Sequence, residues 1–112
     1  MKDDRLYLIH IGECLDRIES YTQGMTKEAF LASSLVQDAV IRNLQTLAES
    51  TQRLSARARE SRPGIDWRKI AGFRNILVHD YLGVDVEKVW NIVQNDLPVL
   101  KRAVSQMLGP TL

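Results

Sequence analysis

Apolar residues recur every three or four positions along nearly the whole of this chain, and that period admits little besides α-helix. Leu8, Ile11, Leu15 and Ile18 fall at i, i+3, i+7 and i+10, which lines them along one helix face. Asp3 or Asp4 suits the start of that helix and Gly24 its end. A second helical segment starts at Thr26, a good N-cap residue, with Val36, Val40, Leu44, Leu47 and Leu54 on one stripe. It runs on to "ARESRPG", where Pro63 and Gly64 break it. Asp66 then caps a third helix, expected from Trp67 to about Asp80, and Gly83 suits the left-handed position after it. Asp85 caps the last helix, which carries Val86, Val89, Val93, Leu97, Leu100 and Val104 in register. Pro98 should kink that helix or split it at Asp96. No stretch of useful length alternates with period two. The expected fold is therefore all-α: a single domain over 1–112, built as a small up-and-down bundle of two long antiparallel helices plus shorter ones.

Composition removes several function classes. An apolar share of 45% and a charged share of 26% are those of an ordinary soluble protein. The single Cys14 forms no internal disulfide and reads as a small core residue, and no Cys/His cluster offers metal-ligand spacing. The start, "MKDDRLYLIH", is too acidic and its apolar run too short for a signal peptide. No segment approaches the roughly 20 apolar residues that span a bilayer. A cytoplasmic protein without membrane, metal or cofactor is expected. His10 has no acid or second histidine placed to form a site and reads as structural or exposed. Trp67 and Trp90 read as core or interface residues.

Charge is uneven. Between Arg53 and Arg74, seven basic side chains stand against Glu60 and Asp66, leaving +5 there and −4 in the rest of the chain. Such a belt attracts phosphates, or it is only a solvated helix end. It leads into "FRNILVHDY", Phe73 to Tyr81, where polar groups surround the apolar trio Ile76, Leu77 and Val78. At about 100° per residue, Asn75 and His79 share a helix face, whereas Arg74 and His79 stand about 140° apart. Either the helix loosens near His79, or two copies meet across a two-fold axis to make a composite site. Histidine titrates near neutrality and serves as base or acid, and arginine matches phosphate oxygens. The reaction these groups suit is metal-independent RNA cleavage. A 2′-hydroxyl attacks the adjacent phosphorus, His79 handles the proton, Arg74 stabilises the charged phosphorane, and Asn75 orients the imidazole or donates to phosphate. Arg62, Arg68 and Lys69 are candidate RNA-binding residues.

Arg74, four residues, His79, one residue and Tyr81 resemble the RX4HXY signature of HepT-like toxins in the HEPN superfamily. The stretch "IDWRKIAGFRNILVHDYLGVDVEKVWNIVQNDLPVL" is similar to that family's most recognisable region, with weaker similarity back through "QDAVIRNLQTLAES". Ala48-Glu49-Ser50 departs from the Gly-Glu-Ala usual in relatives, which bears on local packing rather than on the reactive triplet. The resemblance implies a HEPN-like helical bundle that forms a homodimer with its Arg/His motifs facing one another. It implies the toxin of a type VII-like toxin–antitoxin pair, acting as a ribonuclease with Arg74 and His79 catalytic. It further implies a cognate minimal nucleotidyltransferase as antitoxin, which silences the toxin by AMPylation of Tyr81. The competing expectation is a non-catalytic accessory subunit that docks such a nucleotidyltransferase through the same charges.

Overall fold

The computed structural model describes residues 2–79 and 85–109, and every regular element among them is helical. The helices are α1 (Lys2–Thr22), α2 (Lys27–Leu31), α3 (Ser34–Gln52), α4 (Ala56–Glu60), α5 (Trp67–His79), α6 (Val86–Asn91) and α7 (Leu97–Leu108), with a π-helical turn at Ile92–Asp96 joining the last two. The long helices α1 and α3 pack antiparallel, and this is the most extensive pairing in the bundle. α5 lies against α3, α7 lies against α1, and the short α2 touches α3 and α6.

The stripes foreseen in the sequence form the core, except that Val36 and Val86 are only partly buried against it. Leu8, Ile11, Leu15 and Ile18 of α1, Val40, Leu44 and Leu47 of α3, and Val89, Val93, Leu97, Leu100 and Val104 of the C-terminal segment are all buried. Phe30 is completely buried and stacks obliquely on Trp90, with ring centroids 5.2 Å apart. That contact fastens α2 onto α6 and adds to the area burial of both rings. Cys14 is a core residue as expected, and burial pushes its thiol pKa up, so it stays protonated. His10 is exposed, but an acid does stand near it: Glu13, 3.7 Å away and equally exposed. Screening makes such a surface pair weak.

The second segment is the main correction. What the stripe presents as one long helix is three, because two serines interrupt it. Thr26 caps α2 as expected, its hydroxyl accepting from the Ala29 amide. Ser33 then adopts an extended backbone and accepts from the Val36 amide at 3.2 Å, starting α3 afresh. The Gln37 side-chain amide donates to the carbonyls of Phe30 and Leu31, satisfying the end of α2. At the far end Ser55 caps α4 by accepting from Ala58. Ser55 is itself held by Asp4, whose two carboxylate oxygens accept from the Ser55 amide at 2.8 Å and its hydroxyl at 2.7 Å. Asp4 therefore sits in the first turn of α1 and ties it to the α3–α4 corner.

The other punctuation falls where the residue types place it. Gly24, with φ of 74°, takes the left-handed conformation that follows α1. Asp66 accepts from the Lys69 amide and Asp85 from the Lys88 amide, each capping its helix. Gly83 and Asp80 lie outside the described residues. Pro98 has no N–H to give to the carbonyl four residues earlier, and its ring crowds that group. The chain answers with the π-helical turn at Ile92–Asp96, so the last helix is interrupted at Asp96 by a widened turn rather than by a sharp corner.

Candidate functional site

α5 carries the candidate site, and its placement follows from two anchors. The Trp67 indole N–H donates to the Arg59 carbonyl at 2.9 Å and to the Arg62 carbonyl at 3.2 Å, fixing the start of α5 to the end of α4. Ile70 and Phe73, three apart, are buried and seat one face of the helix in the core. That seating dictates where the remaining positions point. At about 100° per residue, Arg68 and Asn75 lie roughly half a turn from the mean direction of Ile70 and Phe73, and both are exposed.

Arg74 is also exposed, one step round the helix from Phe73. Its Nε stands 3.7 Å from Oε1 of Glu49 on α3, and both side chains are 49% exposed. Glu49 is the acidic neighbour that no local spacing could reveal, since 25 positions separate it from Arg74. α5 remains α-helical through His79, its last residue. The helical register places position 79 within about 40° of Asn75 and about 20° of Arg68. It leaves Arg74 and His79 about 140° apart along this helix. The side chain of His79 and the whole of Tyr81 lie outside the described residues.

The three candidate RNA-binding residues separate. Arg68 joins the outward face that holds Asn75. Lys69 is paired across the bundle with Asp96, Nζ to Oδ1 at 3.0 Å. Arg62, in the turn before α5, is half-buried and lines a cleft formed with α1 and α7. The basic belt is thus not one surface. Among the described residues, no three His, Cys, Asp or Glu side chains gather as metal ligands would, and no helix is long and apolar enough to cross a membrane.

The family model described as "HepT-like: Ribonuclease HepT-like" matches residues 11–107. The "Probable ribonuclease HepT" of Thermococcus cleftensis is 38% identical over 95 residues, covering 85% of this chain and 86% of the relative. The "Putative RNase MJ1380" of Methanocaldococcus jannaschii is 31% identical over 103 residues, covering 92% of this chain and 94% of the relative. A longer protein of the same organism, "Gamma-glutamylcyclotransferase and putative RNase MJ0434", is 37% identical over 107 residues. That match takes in 96% of this chain, which spans about half the relative, 48% of its length. No solved structure matches the chain. The match over residues 11–107, joined to relatives of nearly the same length, is decisive: this chain belongs to the ribonuclease HepT-like family.

Proposed function

We propose that this chain is a metal-independent endoribonuclease and the toxin of a type VII-like toxin–antitoxin pair, working as a homodimer. The observation that carries the reading is the exposed Arg74 on α5, paired among the described residues with one exposed carboxylate, beside an outward register of Arg68, Asn75 and position 79. In the reaction, the 2′-oxygen of one ribose forms a bond to the adjacent phosphorus as its proton passes to His79. The bond from phosphorus to the 5′-oxygen breaks, and that oxygen leaves with a proton from solvent. The products are a 2′,3′-cyclic phosphate and a 5′-hydroxyl. Arg74 holds the phosphorane oxygens with its charged fork, an interaction stronger in the transition state than in the substrate. Asn75, on the same face as position 79, orients the imidazole.

Tyr81 is the AMP acceptor in this reading, two positions beyond His79. AMP attached there brings an anion beside Arg74 and occupies the place of the RNA phosphate, by the rules that govern phosphorylation. The donor is the cognate nucleotidyltransferase antitoxin.

The test is RNA incubated with the purified protein in EDTA, alongside Arg74→Ala and His79→Ala. Cleavage that yields cyclic-phosphate ends and is lost in both variants supports the mechanism. Wild-type protein without cleavage, or variants that cleave normally, overturn it. Tyr81→Phe should cleave like the wild type yet escape silencing by the partner. A silenced Tyr81→Phe protein would overturn the covalent switch and leave blocking by complex formation.

A further inference from the structure

Away from α5, three arginines from separate parts of the chain meet in one cleft. Arg5 of α1, Arg57 of α4 and Arg62 of the α4–α5 turn line an open cleft of about 680 Å³, with the end of α7 as another of its walls. Among the described residues none of the three has a carboxylate within 4.0 Å. Among the described lining residues the only acid is Asp4, and both of its oxygens are engaged by Ser55. The cleft therefore keeps a net positive charge.

A second observation asks for an acceptor. The Nε of Arg62 is buried and has no hydrogen-bond partner among the described residues. A guanidinium donor taken from water and left unpaired is costly, so little holds the Arg62 side chain against turning out to meet an acceptor in the cleft. The Arg62 Nη1 reaches only the Ser61 carbonyl, at a long 3.4 Å. Arg5 donates once, to the Leu108 carbonyl at 3.2 Å. Among the described residues most of the five donors on each of these guanidinium groups have no protein acceptor.

We propose that this cleft is a subsite for the phosphodiester backbone of RNA, separate from the reacting groups on α5. Guanidinium forks match phosphate oxygens in geometry and charge. The cavity is far larger than one phosphate needs and lies in the range of pockets that take ligands of nucleotide size or more. It also lies at the correct end of the bundle. Glu49, which marks the position of Arg74, is about 4.5 Å of helix rise from the end of α3, and Ser55 and Arg57 follow directly. One strand of RNA lying along this end can present one phosphate to Arg74 and others to the cleft. The inference rests on the nuclease reading for its choice of ligand, but its test does not depend on cleavage.

Fluorescence anisotropy of a single-stranded RNA, with both proteins in a His79→Ala background to keep the RNA intact, gives affinity as a function of salt. Arg57→Gln is the clean variant, because Arg57 is exposed and its side chain makes no hydrogen bond among the described residues. Arg17→Gln, on the exposed surface of α1 outside this cleft, is the control. Loss of one phosphate contact should lower the slope of log affinity against log salt by about 0.7 and weaken binding several-fold at low salt. The double variant Arg57→Gln/Arg62→Gln should lower the slope about twice as far, and circular-dichroism melts check that both fold. Slopes equal to that of the Arg17→Gln control overturn the subsite even if the wild type cleaves RNA. A reduced slope, where the wild-type protein itself cleaves no RNA, upholds the subsite and removes the catalytic reading. RNA binding that is absent altogether, or Arg57-dependent binding of AMP with no change in the RNA slope, also overturns the subsite.

Discussion

The Arg74–Glu49 pair makes a quantitative prediction, because its geometry sets how firmly the arginine is held. At 3.7 Å, two unit charges attract by about 1 kcal/mol in water. Both side chains are half-exposed, so solvent screening and the loss of side-chain freedom keep the net value of such a pair at about 0.2–1 kcal/mol. A double-mutant cycle of Glu49→Gln and Arg74→Gln, followed by urea denaturation, should return a coupling energy within that range. The midpoint should move while the m value stays constant. The functional consequence is a difference between the two positions. An arginine held this weakly is free to exchange the carboxylate for an RNA phosphate. Glu49→Gln should therefore keep cleavage within about tenfold of wild type, whereas Arg74→Gln should lose a factor of about 10²–10³, as when a transition-state donor is removed. A coupling energy above about 2 kcal/mol would show a desolvated, locked pair and refute the reasoning. So would a stable Glu49→Gln protein with no cleavage, since the carboxylate would then take part in the chemistry itself.

Two further outcomes test the framework. Leu44, only 1% exposed at the centre of α3, should cost about 2–5 kcal/mol when changed to Ala, a drop in Tm of roughly 4 °C or more for each kcal/mol, read by a thermal melt. Asp4 carries a pH signature: the Ser55 amide first, and the Ser55 hydroxyl second, hold its pKa below the ordinary 3.8. Because the folded value is the lower one, the stabilisation is complete above the unfolded value and fades as pH falls through the folded value. The stability difference between wild type and Asp4→Asn should accordingly be constant from pH 7 to about 5 and shrink below pH 3.8, measured by urea titrations across that range.

The stripes were legible because burial follows apolar period, and the caps at Thr26, Asp66 and Asp85 because a short acceptor before a helix has one natural use. The breaks at Ser33 and Ser55 were not, for a physical reason. Serine is tolerated inside a helix as well as at its start, and the apolar stripe from Val36 runs on past the end of α3 at Gln52 to Leu54, which is still buried. What decides Ser55 is Asp4, 51 positions away, and no local pattern contains that contact. Pro98 announced where the last helix is interrupted, but a widened turn and a corner each accommodate the missing N–H and the crowded carbonyl. The same divide runs through the candidate site. Arg74 and Asn75 could be placed on an exposed helix from sequence, whereas Glu49 emerges only when α3 and α5 pack together. The basic belt read as one surface because it is contiguous in sequence. Folding sends Lys69 to Asp96, Arg62 into the cleft and Arg68 to the outward face.

The helical register of α5 bears on how a site of two copies would be assembled. Ile70 and Phe73 take the inner face, and Arg68, Asn75 and position 79 share a direction about half a turn away. Arg74 is turned toward Glu49 at the side, about 140° from position 79. Since α5 stays helical as far as His79, the helix itself does not close that angle. A two-fold partner laid over the outward face would close it if the arginine of one copy met the histidine of the other. Mixing the two inactive variants separates the possibilities. Under a shared site, a dimer of one Arg74→Ala chain and one His79→Ala chain holds one complete Arg/His pair and one doubly defective pair. Random exchange makes half of the dimers mixed, so about a quarter of wild-type activity should return. A site complete within each chain gains nothing from mixing, because every chain lacks one group. Co-expression of the two variants with different tags, isolation of the mixed dimer and an RNA cleavage assay in EDTA read the difference. A purified mixed dimer with no activity, beside an active wild-type dimer, would assign the site to a single chain and require the angle to be closed beyond His79.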